Sequence, residues 1–155
     1  MTWFEVLLVV TAVVRGLGAG IIYDSAVVSP RVRHRVGLPA YADYLRANLA
    51  GLGGKSYVPV AWLGALLTVT ATVAAFASDQ PPAVAWWTAG SLAATVVAFV
   101  GTGLALPALF RVTRTPSDEH DRLRPRLDRY ARWYGFSALW QGVAFVAAVL
   151  ALAVR

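Results

Sequence analysis

Four stretches of the chain are long and apolar enough to cross a lipid bilayer as α-helices. A crossing helix needs about 20 consecutive, mostly apolar residues, because every backbone polar group must be satisfied inside the segment. The stretches cover residues 4–28, 57–77, 83–109 and 134–154, and 58% of the whole chain is hydrophobic. We therefore predict an all-α fold, an integral membrane four-helix bundle that forms a single transmembrane domain over residues 1–155.

The connections between these spans predict the orientation of the bundle. Residues 78–82 form only a tight turn, so spans two and three must be antiparallel neighbours. The other two connections hold twelve of the fourteen Lys and Arg residues. Basic connections of membrane proteins generally face the cytoplasm, which places both basic loops inside and both termini outside. A composition rich in Ala, Val, Gly and Arg suggests a bacterial source, and therefore the inner (cytoplasmic) membrane.

Each basic connection is predicted to hold a short interfacial helix. The first covers residues 39–52 and is followed by Gly53 and Gly54 as a helix end. Its apolar side chains recur on one face at helical spacing: Tyr41, Leu45, Leu49 and Leu52. In the second connection Thr115 fits a helix N-cap, with Pro116 at the first helical position, and this helix can continue directly into span four.

Composition excludes several kinds of chemistry. No cysteine is present, which excludes disulfides, thiolate metal sites, iron–sulfur clusters and cysteine nucleophiles. His34 and His120 are the only histidines, and both lie in the basic connections, which excludes a bis-histidine haem inside the bundle. Two histidines are also too few for a histidine-rich di-iron site. The net charge of +6 does not indicate nucleic-acid binding, because the cations flank apolar spans, where they anchor the chain to anionic membrane lipids.

Three ionisable residues lie within the first span, where a charge at the helix centre costs about 2.5–3.5 kcal/mol on insertion scales. Glu5 is near the outer surface and is expected to reach water. Arg15 is near mid-membrane, where it either hydrogen-bonds another helix or holds an anionic or enolate oxygen. Asp24 is either a helix-end carboxylate paired with a nearby arginine or a base. It lies roughly 13 Å from Arg15 along the helix axis, so the two cannot pair.

Five polar or aromatic side chains share a depth within about 12 Å of the cytoplasmic surface and are predicted to line one pocket. They are Tyr23, Asp24, Thr102, Trp140 and Gln141. The Gln141 amide either binds a ligand or hydrogen-bonds a neighbouring helix. Trp140 and Trp133 offer flat faces to a ligand, although tryptophan also anchors helices at the interface. His34 lies near the predicted mouth, as a base with cationic neighbours or as a solvated loop residue.

Two segments of the chain carry a family resemblance. The first is the glycine-rich end of span one with its polar exit, residues 16–30, and the second is the aromatic stretch entering span four, residues 132–140. In these segments and in its four-span layout, the chain resembles the anthrone oxygenase family of membrane proteins. The resemblance implies oxidation of a hydrophobic aromatic polyketide, such as an anthrone, to a quinone by O2, with no evident metal or flavin cofactor.

That chemistry needs a base for an activated C–H and a cation or hydrogen-bond donor for the resulting enolate oxygen. Applied to this chain, it makes Asp24 or His34 the base. The candidate oxyanion donors are Arg15, Tyr23 and Gln141. The candidate substrate contacts are Gln141, Trp140, Thr102 and Trp133.

Two other functions are compatible with the sequence. The first is a small-molecule transporter or exporter that uses Glu5, Asp24 or Arg15 as a coupling charge. Such a protein can form a homo-oligomer through Gly16 and Gly20, whose small-xxx-small spacing lets another helix come close. Close packing within the bundle explains the same spacing. The second is a non-catalytic membrane subunit that binds an assembly partner through its basic cytoplasmic helices.

Overall fold

The computed structural model describes residues 1–48, 51 and 53–155, and the described part of the chain is almost entirely helical. Its α-helices are α1 (Trp3–Tyr23), α2 (Ser29–Val36), α3 (Leu38–Ala47), α4 (Gly53–Ala77), α5 (Pro82–Thr113) and α6 (His120–Ala153). A π-helical stretch, Asp24–Val28, joins α1 to α2.

Four of the helical runs are long and apolar enough to cross a membrane: Trp3–Val36, Gly54–Ala77, Pro82–Thr113 and His120–Ala153. This confirms the predicted all-α, four-helix architecture of a multi-pass membrane protein. The helix α1 packs against α4 and α6, and α5 packs against the same two helices. Since successive spans run in opposite directions, the four form a ring around a common axis.

Small residues let α5 and α6 approach most closely. A Cβ atom placed on Gly101 of α5 would lie 2.9 Å from the Phe136 ring and 3.2 Å from the backbone nitrogen of Ser137 on α6. Ala94, Ala98 and Ala144 are also buried in this part of the bundle. Without a hydrophobic driving force between helices in lipid, this close van der Waals packing is a main source of helix association.

The first span does not end at residue 28, as the sequence suggested. The helical path continues through the π-helical stretch Asp24–Val28 and then through α2 to Val36, with Pro30 in the first turn of α2. A proline is tolerated there because the first backbone N–H groups of a helix lack intrahelical partners. Gly37, with a φ of 86°, then turns the chain into α3. Much of the first basic connection is therefore helical.

The interfacial helix of the first connection is observed as α3. Its Tyr41 and Leu45 side chains, which were predicted to share one face, are buried in a cluster with Val112, Leu123 and other residues of α5 and α6. The predicted positions Leu49 and Leu52 lie outside the described residues. The prediction that Gly53 and Gly54 end this helix is wrong, because α3 ends at Ala47 and α4 begins at Gly53.

The second connection contains no separate interfacial helix in the structure. Its helical residues belong to α6, which begins at His120 and continues into the fourth span. Thr115 is not the N-cap. It is buried, its hydroxyl donates to the Arg111 carbonyl oxygen at 2.6 Å, and its own carbonyl accepts from Arg46 of α3. These bonds hold residues 114–119 against α3 and α5, and α6 begins after them, at His120. We call the end of the bundle with both connections the basic end.

Candidate functional site

Arg15 is the buried ionisable residue around which the candidate site is built. It lies in the fourth turn of α1, and only 3% of its surface is exposed. Its Nη2 atom donates to the Thr95 hydroxyl of α5, while Nε is buried without a partner. Among the described residues no carboxylate lies within ion-pair distance of Arg15. The bundle therefore holds a guanidinium whose charge is not compensated by protein.

Two neighbouring helices are shaped to accept this side chain. Thr95 donates its own hydroxyl proton to the Ser91 carbonyl oxygen at 2.7 Å, which leaves oxygen lone pairs for Arg15. On α4, Gly64 provides space: a Cβ atom there would lie 3.3 Å from Cδ and 3.7 Å from Nη1 of Arg15. The Nη1 atom makes no hydrogen bond to a described residue. Nη1 and Nε are therefore both donors of the guanidinium that no described residue uses.

Arg15 and Gly64 lie on the wall of a partly open cavity of about 130 Å³. Most of the wall is apolar, with side chains such as Val14, Ile22 and Phe99. Its other polar side chains are Tyr57, Thr102, Tyr134 and Gln141. A cavity of about 150 Å³ is known to accept a benzene molecule, so this one has room for about one aromatic ring.

Gln141 contributes a second free polar group to the cavity. It is 7% exposed, and its amide forms no hydrogen bond to a described residue. The interhelical hydrogen bond considered for it is therefore not observed. Thr102 differs, since its hydroxyl contacts the Ser137 hydroxyl at 2.8 Å and the Ala98 carbonyl oxygen at 3.2 Å. Thr102 thus links α5 to α6, whereas Gln141 is available to a ligand.

The predicted base residues lie elsewhere. Asp24 is exposed and lines a separate cleft of about 390 Å³ between the π-helical stretch, α2 and α3, together with Tyr41 and Tyr44. It forms no ion pair with a described residue. His34 is exposed on α2. Neither lines the Arg15 cavity, so the structure does not bring a candidate base and the guanidinium together.

The remaining predicted site residues are also dispersed. Tyr23 is 58% exposed and borders a groove along the outer face of α6. Trp140 is half-buried with its ring 6.3 Å from that of Phe136. Trp133 packs edge-on against Phe136 at 6.0 Å and borders the cluster that contains Tyr41. Of the five side chains predicted to share a pocket, Thr102 and Gln141 line the Arg15 cavity.

Sequence reasoning missed Tyr57 and Tyr134, which also line this cavity. Two signals were available. Tyr134 lies seven residues, about two helical turns, before Gln141 and therefore on the same face of α6. Tyr57 is the first residue of the predicted second span, within the depth range that was used for the other candidates. Gly64 carried no signal, because its role depends on the approach of Arg15 from another helix.

Glu5 and the glycines of α1 have local structural partners. Glu5 and Thr2 form a capping box at the start of α1, and Glu5 also pairs with Arg155 at 2.6 Å. A Cβ atom on Gly16 would lie 3.0 Å from the Phe145 ring, so Gly16 packs against α6 of the same chain. Gly20 borders an open groove on the outer face of the bundle.

Comparison with protein-family models, with curated proteins and with solved structures gives no match for this chain. Among the described residues, no three carboxylate or imidazole side chains are placed to share a metal ion. The cavity and its polar groups are therefore the features of the molecule that indicate a function.

Proposed function

We propose that the protein binds a hydrophobic aromatic molecule through an anionic oxygen at Arg15 and oxidises it with O2, as a cofactor-independent oxygenase. The observation that carries the proposal is a buried guanidinium without a carboxylate partner on the wall of an apolar cavity. A ligand that brings its own negative charge compensates this cation. The cavity holds about one ring, so a larger substrate extends through its open side.

The available donors match an enolate or phenolate oxygen. Nη1 of Arg15 and the amide of Gln141 have no partners among the described residues, and both residues line the same cavity. A fixed cation in an environment of low dielectric constant stabilises a developing oxyanion far more than it would in water. Arg15 therefore favours ionisation of a bound enol or phenol, and Gln141 can donate a second hydrogen bond.

The structure changes the expected source of the base. Among the described residues no carboxylate or imidazole lines the cavity, so direct proton removal from carbon has no candidate there. A substrate that binds as its enol or phenol needs only to lose its O–H proton, which gives the same anion. For a substrate with a CH2 group between aryl rings, one oxygen atom of O2 then becomes the carbonyl oxygen of the product. The second oxygen atom leaves as water with the two hydrogens of the CH2 group.

The direct test is oxygen uptake by the detergent-solubilised protein with an anthrone as substrate. We expect uptake above the spontaneous rate for the wild type and for Asp24→Asn, and uptake at the spontaneous rate for Arg15→Met. Arg35→Met is the matched control, because Arg35 is exposed on α2, away from the cavity. Wild-type uptake equal to that of empty micelles would contradict the oxygenase proposal.

Transport of a hydrophobic anion is the second candidate, and the absence of a base from the described cavity wall favours it. A transporter moves its ligand across a sealed membrane and leaves it chemically unchanged. Proteoliposomes loaded with an aromatic acid separate the two functions: release without oxidation, lost in Arg15→Met, indicates transport. A non-catalytic assembly subunit would show neither activity.

We also propose that the basic end faces the cytoplasm of a bacterial inner membrane. The charge distribution supports this orientation, since both basic connections lie at one end of the bundle. The chain has no cysteine, so single cysteines report topology without background. An impermeant maleimide should label Asp79→Cys on intact cells and Asp118→Cys only after lysis. The reverse pattern would overturn the orientation.

A further inference from the structure

The open side of the Arg15 cavity lies between α1 and α4. These two helices supply most of its lining, including Gly18 and Ile21 from α1 and Val58 and Ala61 from α4. Both helices are irregular beside it. A π-helical stretch begins at the end of α1, and Pro59 interrupts the hydrogen bonding of α4 next to Val58.

The bundle is closed on the side of the cavity that faces away from the basic end. Beyond Arg15 and Thr95, the axis is filled by buried residues from all four helices, with hydroxyls from Thr68, Thr88 and Ser91. The void among them measures about 10 Å³, at or below the roughly 10–15 Å³ that a single water needs. An aromatic ligand therefore has no path from the end that carries the termini.

Towards the basic end, the α5 and α6 side of the cavity is covered. The cluster that contains Tyr41, Leu109 and Leu127 fills the space between α3, α5 and α6. Tyr134, which lines the cavity, packs against this cluster, and its ring stacks on Tyr130 at 5.0 Å. Within the described part of the chain, these rings cover this side of the cavity.

Gly18 and Val58 mark the side that is left open. A Cβ atom on Gly18 would meet no atom within 4 Å, although Gly18 lines the cavity. Val58, on the opposite edge, is 53% exposed. Both lie within helices that are long and apolar enough to cross the membrane, with Val58 close to the basic end of α4. The opening therefore lies on the part of the surface that a bilayer would cover.

We propose that the ligand reaches Arg15 from the bilayer, between α1 and α4, and that Gly18 keeps this entrance open. The inference deepens the proposed function and rests on ligand binding at Arg15. It also specifies the ligand: an aromatic weak acid that dissolves in the membrane, passes the entrance as the neutral enol or phenol, and ionises beside the guanidinium by giving its O–H proton to water. A permanently charged, water-soluble anion does not fit this route, because it partitions poorly into lipid.

The test measures binding and release rates of 2-naphthol in lipid nanodiscs by stopped-flow absorbance of its phenolate. Gly18→Leu and Val58→Phe narrow the entrance from opposite edges, and the exposed side chain of Val58 can be enlarged without disturbing the interior. Gly20→Leu is the matched control, since Gly20 also has open space around it but borders a different groove.

We expect both entrance variants to slow association and dissociation together by about tenfold, which corresponds to about 1.4 kcal/mol of added barrier. The equilibrium affinity of both entrance variants should stay near the wild-type value. The control variant Gly20→Leu should keep the wild-type association and dissociation rates. Unchanged rates in both entrance variants would overturn the route. Weaker affinity at an unchanged association rate would also overturn it, because that result indicates that the new side chain fills the cavity. Absence of 2-naphthol binding to the wild type would instead overturn the binding proposal on which the route rests.

Discussion

Replacing Arg15 with Met should weaken ligand binding without weakening the bundle. The substitution removes a buried charge, whose cost at a helix centre is about 2.5–3.5 kcal/mol on insertion scales. It also removes one charge-assisted hydrogen bond to Thr95, worth about 1.5–3 kcal/mol. The difference predicts a free energy of unfolding that is unchanged or higher by up to about 2 kcal/mol. Loss of a charge-assisted bond to the ligand should lower affinity by about 10- to 150-fold.

The assay combines unfolding in mixed micelles with 2-naphthol titration of the same samples. Thr95→Val is the companion variant. It leaves the guanidinium buried without its one observed partner and should destabilise the bundle by about 1–3 kcal/mol. If Arg15→Met lowered the free energy of unfolding by more than about 2 kcal/mol, Arg15 would be a structural cross-link. The uncompensated charge of Arg15 would then not indicate a ligand.

Three further predictions concern packing and burial, and unfolding in detergent checks each. Gly101→Ala should destabilise the bundle by about 1–3 kcal/mol because its Cβ meets α6, whereas Gly103→Ala, with open space around it, should not; equal effects would contradict this packing. Tyr130→Phe removes a buried hydroxyl without a partner and should leave stability unchanged or raise it by about 1 kcal/mol, so a clear loss would reveal an unseen partner. Burial raises the pKa of Tyr41 to about 12, above the value near 10 in the unfolded chain. The contribution of the neutral Tyr41 to the free energy of unfolding should therefore be complete below pH 10 and disappear as the pH rises to about 12. Tyr41→Phe should remove that part of the pH dependence, and an unchanged profile would refute it.

The spans were predictable because length and hydropathy decide whether a segment can cross a bilayer. The ends of the spans were less predictable. The first span continues as helix to Val36, since residues 29–36 contain one proline in a tolerated position and no other break. Span four begins within a helix that starts at His120, whose first part is amphipathic and is stabilised by burial of Leu123 and Leu127. A hydropathy window registers only the apolar part of such a helix.

The site was only partly predictable because depth alone does not determine which way a side chain faces. Thr102 and Gln141 were grouped by depth, and both line the Arg15 cavity. Asp24 was assigned a similar depth, but it lines the cleft beside α2 and α3 instead. Arg15 was recognisable as a buried charge, yet its partner Thr95 is distant in sequence. Only the packing of α1 against the rest of the bundle brings them together.

The central claim, that Arg15 binds an anionic oxygen, is tested most directly by a pH titration of protein-bound 2-naphthol followed through its phenolate absorbance. A neighbouring cation favours the charged form of an acid, so naphthol bound to the wild type should ionise at a lower pH than naphthol in the presence of Arg15→Met. The Gln141→Leu variant should retain most of this difference, because it keeps the charge. Identical titration curves for the wild type, Arg15→Met and empty micelles would contradict the claim.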